Sequence, residues 1–471
     1  MNVKNNLTEG SILKSLIALS IPIIFANILQ TAYQLTDTFW VGRLGTDAVA
    51  AVSISFPIIF LIISLGSGLA IAGTILVAQY KGKKDKKAID HITSQTILMV
   101  VIISIILSAI GYFLSPFLIA LTGAEAAIFS SAILYIKISF IGTIFVFTYM
   151  VFQSLMRGIG EVKTPMYIVL GTVLLNLILD PLFIFGYGFI PAFGVAGAAF
   201  ATIGTQSLAA IIGIGLLLKG KLDIQLHIND LKPDWVLIRK MLKIGFPASI
   251  EQSTRALGMT AMTLLVISFG TLTVAAYGIG SRILSFIIIP AMGLSMATST
   301  LVGQNIGAGK IERAEKITKL SALVGFVILT IGGVIMFWFA KQISAIFIPG
   351  EIETIRPSAL FIKIMALTFG FIGVQMSLNG LFRGSGNTMI SMVLSIVSLW
   401  VLRFPLAYVL SKHTALEEIG LWIAFPAANI LAAIIMVIWF LKGTWKQKQV
   451  TEEIELAEQT TEETIIEEGM N

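Results

Sequence analysis

The sequence predicts an all-α polytopic membrane protein: twelve transmembrane helices in two six-helix lobes related by an internal pseudo-two-fold repeat. Three observations carry that prediction. Of the 471 residues, 56% are hydrophobic and only 12% charged, with a mean hydropathy of +0.92, whereas soluble globular chains carry about a quarter charged residues. Apolar stretches recur along nearly the whole chain, each long enough to cross a hydrocarbon core of about 30 Å as a helix. Finally, the second half of the chain repeats the first.

The spans follow in order. The run "LIALSIPIIFANILQTAYQL" belongs to a first span at 15–41, followed by 48–79, 93–120, 132–156, 165–187 and 194–218 in an N-lobe over 15–218. A C-lobe over 242–441 holds spans at 242–269, 272–303, 318–347, 357–382, 388–410 and 420–441. Several exceed the minimum length, so they tilt or extend beyond the bilayer. Residues 1–14, "MNVKNNLTEGSILK", lack the short apolar core and small-residue cleavage site of a signal peptide and read as a cytoplasmic interfacial N-terminus. The linker at 219–241 carries most of "LKPDWVLIRKMLK", which mirrors "LTEGSILKSLI"; both are basic and amphipathic and suit the membrane interface. Residues 442–471 form an expected cytoplasmic tail, acidic from Thr451 and solvated.

Lys and Arg set the orientation. On one side of these spans lie 23 of them, on the other Arg43, Lys341, Arg356 and Lys412, and five more fall inside spans. The bias places both termini in the cytoplasm of a multi-pass plasma-membrane protein. It also accounts for the net charge of +6, which is therefore no argument for nucleic-acid binding. Cysteine is absent, which removes disulfides, thiolate metal sites and Cys nucleophiles. His91, His227 and His413 all fall in predicted loops, so a buried histidine metal site is not expected.

The repeat is read from "GLAIAGTILVAQYKGKKD" at Gly68 and "GLSMATSTLVGQNIGAGK" at Gly293. One offset, 225, pairs Gly68 with Gly293, Leu76 with Leu301, Gln79 with Gln304, Pro22 with Pro247 and Gly45 with Gly270. An offset of 226 pairs "YIKI" at Lys137 with "FIKI" at Lys363, "RGIGEVKTP" with "RGSGNT", and Gly194 with Gly420. Six spans per half is an even number, so both halves enter from the same face and are related by an axis along the membrane normal.

These residues resemble the multidrug and toxic compound extrusion (MATE) transporters, from about residue 10 to 442. The resemblance rests on the twelve spans in two halves, "P…D…WVGRLG" in the first, "LVAQYKG" and "LVGQNIGAG" closing the second and eighth, "RGIGEVKTP" and "RGSGNT" after the fourth and tenth, and "NLILDPLFIFG" in the fifth. It implies secondary active multidrug efflux: amphipathic, mostly cationic organic compounds exported in exchange for H+ or Na+ by alternating access. It further implies no enzymatic activity, no cofactor beyond the coupling ion, and a chain acting as a monomer whose partners are small organic cations and the lipid bilayer. The alternative within the same superfamily is a lipid-linked glycan flippase. An intramembrane transferase would need Asp-rich metal motifs, histidine or cysteine that the spans lack. A channel fits a duplicated chain with an off-axis carboxylate site less well than alternating access does.

Three acidic residues lie well inside spans: Asp37, Asp180 and Glu251. At 1.5 Å per residue, Asp37 sits about 33 Å and Asp180 about 22 Å along spans that start in the cytoplasm, while Thr202 is about 12 Å down from the outer end of the sixth. All three fall in the outer half of the N-lobe. Asn176 precedes Asp180 by four residues and shares its helix face. The set is oxygen-rich, and two carboxylates close together cannot both ionise cheaply. The resemblance agrees, since Asp37, Asn176, Asp180 and Thr202 match the cation or proton site of one prokaryotic MATE branch, with Na+ a possible occupant. The competing structural reading pairs one carboxylate with Lys137 or has it hydrogen-bond a kinked backbone. Pro22, fifteen residues before Asp37, removes a backbone hydrogen bond and marks a helix hinge.

The C-lobe departs from this pattern. Met262 stands opposite Asp37, and the region opposite Asp180 carries Arg403. Other MATE branches place acidic residues where this chain has Arg255 and, in the tenth span, Gln375 and Asn379, so no C-lobe sodium site is expected. Glu251 and Arg255 are spaced for an i, i+4 ion pair, with a substrate role for Glu251 the alternative. Lys137 and Lys363, at equivalent positions, read as shared scaffolding. Of 17 methionines twelve follow residue 236, among them Met259, Met262 and Met292 in C-lobe spans. Such soft side chains suit a site that repacks around dissimilar ligands, and ordinary packing explains each one equally well.

Overall fold

A computed structural model describes residues 7–447 and Val450. The expected acidic tail from Thr451, and the first six residues of the interfacial N-terminus, lie outside the described residues. A chain with this little charge leaves its backbone nowhere to hydrogen-bond but within its own helices, and among the described residues the only strand-like pairing is an isolated bridge between Tyr187 and Ile190. The N-terminal half contains α1 (Ile12–Gly42), α2 (Thr46–Lys83), α3 (Lys86–Leu121), α4 (Ala126–Gly158), α5 (Lys163–Phe185) and α6 (Val195–Lys219). A short 3-10 turn at Ile228–Asp230 leads to α7 (Trp235–Ile267), α8 (Thr271–Gly307), α9 (Ile311–Trp338), α10 (Ala340–Phe347), α11 (Ile352–Ala366), α12 (Phe369–Gly384), α13 (Thr388–Ile396), a π-helical stretch Val397–Arg403, α14 (Phe404–Lys412) and α15 (Glu418–Lys442).

Ten helices are long and apolar enough to cross a bilayer, eleven when the bent pair α11 and α12 is taken as one span. The remaining expected span, 242–269, is occupied by α7, whose 33 residues carry Arg239, Lys240, Lys243, Glu251 and Arg255 and so dilute its apolarity. Three expected spans are not continuous α-helix. The one at 318–347 breaks at Phe339 between α9 and α10. The one at 357–382 bends by 51° between α11 and α12, where the Thr368 hydroxyl donates to the Met365 carbonyl and competes with the helical ladder. The third changes to π geometry just before Pro405, which has no N–H to donate to residue 401. His91, expected in a loop, lies in the second turn of α3.

The motif "RGIGEVKTP" is a helix–turn–helix joint. Gly160 takes φ of 86° and ends α4, while Oε1 of Glu161 accepts the Lys163 and Thr164 amides at 3.2 and 3.1 Å and starts α5. Its repeat equivalent, Gly386, takes φ of 80°. The two short loops thus owe their similarity to capping.

The described residues form two compact units, one of residues 25–249 with Val450 and the other of 7–24 with 250–447. In the first, Phe147, Phe152 and Leu155 of α4 pack into Leu76 and Val77 of α2 and Val100 of α3. Helices α2 and α7 touch backbone to backbone: a Cβ on Gly68 would lie 2.1 Å from the Gly245 carbonyl oxygen, so only glycine fits. The linker is held against α3, whose Gln95 amide donates to the carbonyls of Asp230 and Lys232 at 2.7 and 2.6 Å. In the second unit Phe361 and Trp422 meet at 4.3 Å, with Tyr277 stacked on Trp422. On α3, Ile106, Phe113 and Phe117 are exposed, as a lipid-facing surface requires.

Candidate functional site

Four expected site residues come together in the N-terminal half, on three helices. Asp37 of α1 accepts a hydrogen bond from the Thr202 hydroxyl of α6 at 3.1 Å, through Oδ2. On α5, Asn176 and Asp180 are fully buried one helical turn apart, and the Asn176 amide donates to Asp180 Oδ1 at 2.9 Å. The two carboxyl groups lie close enough to interact with one another, and Asn176 also reaches Asp37. Tyr33, one turn before Asp37, places its hydroxyl 2.5 Å from that of Thr205 and 3.4 Å from the Thr202 carbonyl. It ties α1 to α6 beside the carboxylates. Tyr135 of α4 lies within electrostatic reach of both.

The polar accounting of this cluster is incomplete. Asp37 Oδ1, Asp180 Oδ2 and Asn176 Oδ1 are buried and have no hydrogen-bond partner. No Lys or Arg pairs with Asp37 or Asp180 among the described residues; Lys137 instead lies over the Tyr112 ring at 4.9 Å. Three unpartnered oxygens from an amide and two acids, with no compensating cation, form a set that a proton or a hard cation completes, since buried polar atoms are normally paired. Two carboxylates plus amide and hydroxyl oxygens fit Na+ as well as H+, because hard cations take oxygen ligands. A cavity of about 310 Å³ lies between α1 and α2, lined by Thr31, Gln34, Leu35 and Thr38 on one side and Val52 and Phe56 on the other; none of the four site residues lines it.

Pro22 lies inside α1 without interrupting it. In the other half, Glu251 is completely buried and receives five side-chain groups. Oε1 faces Arg255 at 2.8 Å, Arg383 at 3.0 Å, Asn379 at 3.0 Å and Ser395 at 3.0 Å, and Oε2 accepts from Ser391 at 2.8 Å. The expected pair with Arg255 is present, but Arg383, counted in a loop by the charge-bias argument, sits in the last turn of α12 and shares the same carboxylate. The other possible substrate residues are scattered in character. Met259 is exposed, Met262 is buried in the apolar core with Phe361 and Trp422, Met292 is half-buried, and Gln375 donates to the Asn429 carbonyl at 2.7 Å. Lys363 lies over the Phe337 ring at 5.5 Å, repeating the arrangement of Lys137.

Sequence reasoning passed over Tyr33, Thr205, Arg383, Ser391 and Ser395. Tyr33 had a signal: it shares a helix face with Asp37 at i, i+4. Ser391 and Ser395 are likewise spaced i, i+4, but serine in a span ordinarily bonds its own helix.

The MatE family model matches the chain twice, over residues 22–182 and 247–409, once in each half of the repeat. Two relatives from Bacillus subtilis (strain 168) extend over nearly the whole chain. "Probable multidrug resistance protein YpnP" is 31% identical, covering 93% of this chain and 97% of its own; "Probable multidrug resistance protein YoeA" is 29% identical, covering 94% and 96%. A solved outward-facing structure of a multidrug resistance MATE family transporter of the MOP superfamily superimposes with a TM-score of 0.86 at 25% identity, covering 94% of this chain and 98% of that one. A double match spanning most of the chain, on an all-helical two-lobe fold, leaves one reading: the chain belongs to the MatE family and is a multi-pass membrane transporter, not an enzyme.

Proposed function

We propose that this transporter is a secondary active multidrug efflux antiporter, exporting amphipathic and mostly cationic organic compounds in exchange for H+ or Na+ by alternating access. The observation that carries the coupling is the pair of acids Asp37 and Asp180, brought together with Asn176 and Thr202 while three of their buried oxygens lack a partner. Binding a proton or Na+ removes the cost of an uncompensated buried anion, so the loaded and unloaded sites favour different packings of α1, α5 and α6. Bending of α1 at Pro22 is the proposed response, since that residue already lacks one ladder hydrogen bond. The same reading puts an N-lobe at 15–218 and a C-lobe at 242–441, both termini in the cytoplasm, and a monomer in the plasma membrane. The multidrug resistance relatives support export of small molecules over lipid-linked glycan flipping.

The test is dye efflux from proteoliposomes under separately imposed pH and sodium gradients. Export that requires one of the two gradients supports the reading and identifies the ion. Gradient-independent flux would replace the antiporter with a channel.

A further inference from the structure

The C-terminal half contains a second polar centre of opposite sign, around Arg403. This residue ends the π-helical stretch Val397–Arg403, about 22 Å past Thr388 along its span and nine residues from Lys412, away from either headgroup layer. Among the described residues no carboxylate pairs with it. Its Nη2 donates to Asn429 Oδ1 at 2.8 Å, and its guanidinium lies 5.1 Å from the centre of the Phe425 ring. The titratable neighbours that act on it are Tyr277 and Arg255, neither of them negative at neutral pH. Arg255 shares the single carboxylate of Glu251 with Arg383. Two guanidiniums therefore take the one acid, and Arg403 is left without a carboxylate among the described residues.

Two buried donors here are unused: Arg403 Nε and Asn429 Nδ2. A guanidinium held only for packing would not be expected to leave both it and its partner amide unsatisfied, since buried donors are normally bonded. The repeat points the same way. At the offset of 226 the N-terminal equivalents of Arg403 and Asn429 are Leu177 and Ile203, whereas Arg383 matches Arg157; Arg403 and Asn429 are not part of the duplicated scaffold. The centre is reachable, because Arg403 is half-buried and the Arg255 side chain is 29% exposed. The exposed Trp400 ties the π stretch to α7 by donating to the Thr254 carbonyl at 3.3 Å, one residue before Arg255. Cationic, donor-rich and edged by aromatic rings, the arrangement matches an acid carried on an apolar body.

We propose that Arg403, with Asn429 and Arg255, is a subsite for the carboxylate of an amphipathic substrate, so that zwitterionic compounds are preferred over their purely cationic esters. This deepens the efflux reading and rests on it for the identification of the ligand as cargo.

Rhodamine 110, with a free carboxylate, and its methyl ester rhodamine 123 isolate that group. Fluorescence anisotropy with the purified full-length protein should show the acid bound about tenfold more tightly than the ester, as a charge-assisted hydrogen bond in a buried site provides. Arg403→Gln should bring the ratio near one, and Arg403→Lys should retain much of it. Equal or weaker binding of the acid by the wild-type protein overturns the proposal without any variant. So does an unchanged ratio in an Arg403→Gln protein with the wild-type melting temperature, which would leave Arg403 a packing residue. Because the readout is binding, failure of both dyes to be transported under any gradient would remove the efflux reading and leave the subsite standing.

Discussion

Replacing Glu251 by glutamine tests the centre of the C-terminal half most severely. The substitution preserves volume, removes the charge that two guanidiniums share at 2.8 and 3.0 Å, and turns an NH2 donor toward a shell made of donors. Removing one partner of a buried ion pair costs about 3–5 kcal/mol, because the other charge is left uncompensated. With two arginines affected, the upper end of that range applies. At about 2–4 °C per kcal/mol for a unit of roughly two hundred residues, the melting temperature should fall by about 10 °C or more. The assay is the temperature at which half of the detergent-solubilised protein leaves its monodisperse gel-filtration peak. Arg383→Gln alone should also destabilise, and Glu251→Gln combined with Arg383→Gln should cost less than the sum of the singles by about 1–3 kcal/mol. A Glu251→Gln protein melting within about 2 °C of wild type would refute the ion-pair hub. Loss of efflux at unchanged stability would move Glu251 from scaffold to substrate contact.

Three further outcomes follow from the same geometry. Asp37→Asn and Asp180→Asn should each abolish gradient-driven dye efflux while leaving the melting temperature near wild type, since each removes an uncompensated buried charge; normal export by either folded variant under both gradients would remove that residue from the coupling site. Gly68→Ala should reduce the yield of folded protein sharply, because its Cβ would meet the Gly245 carbonyl, whereas Gly278→Ala, with open space around it, should be neutral; equal yields would contradict the close α2–α7 contact. Pro22→Ala restores a helical N–H in α1 and should slow dye efflux without lowering stability, and unaltered transport kinetics would exclude Pro22 as the hinge.

How much of this was legible in the sequence depended on whether the signal was periodic or contextual. The helices and the duplication were legible because apolar length and a constant offset of 225 or 226 survive without any knowledge of packing. The meeting of Asp37, Asp180 and Thr202 was legible because rise per residue converts sequence distance into depth, and few intramembrane carboxylates compete for the same layer. Interruptions within spans were not legible. Pro405 announces a local defect, but whether the chain responds by a kink, a break or the observed π stretch depends on the helices around it. The role of Arg383 was hidden by the very rule that oriented the chain, which counts an arginine near a helix end as a loop charge although its long side chain reaches back to a buried acid. Methionines were illegible for a different reason: Met262 and Met259 have the same chemistry three residues apart, and only packing makes one a core residue and the other exposed.

The duplication sharpens what the two polar centres are for. Arg157 and Arg383 are equivalent, yet the position matching Glu251 at an offset of 225 is Ala26, so Arg157 turns instead to the Ser154 hydroxyl at 2.6 Å. Conversely Met262 stands where Asp37 would be. One ancestral frame has therefore been given acids without cations in its first half and an acid saturated by cations in its second. A carboxylate held by two guanidiniums, an amide and two hydroxyls has its charge fixed and gains nothing from a proton or Na+. A carboxylate pair with two idle oxygens, beside the idle amide oxygen of Asn176, gains both charge compensation and hydrogen-bond satisfaction from either. On the proposed reading, ion binding would therefore act on packing in the N-terminal half, around Asp37 and Asp180, and not on the Glu251 cluster of α7, α12 and α13. That division supports the proposal that Asp37 and Asp180 carry the coupling, on energetic grounds that do not depend on family membership.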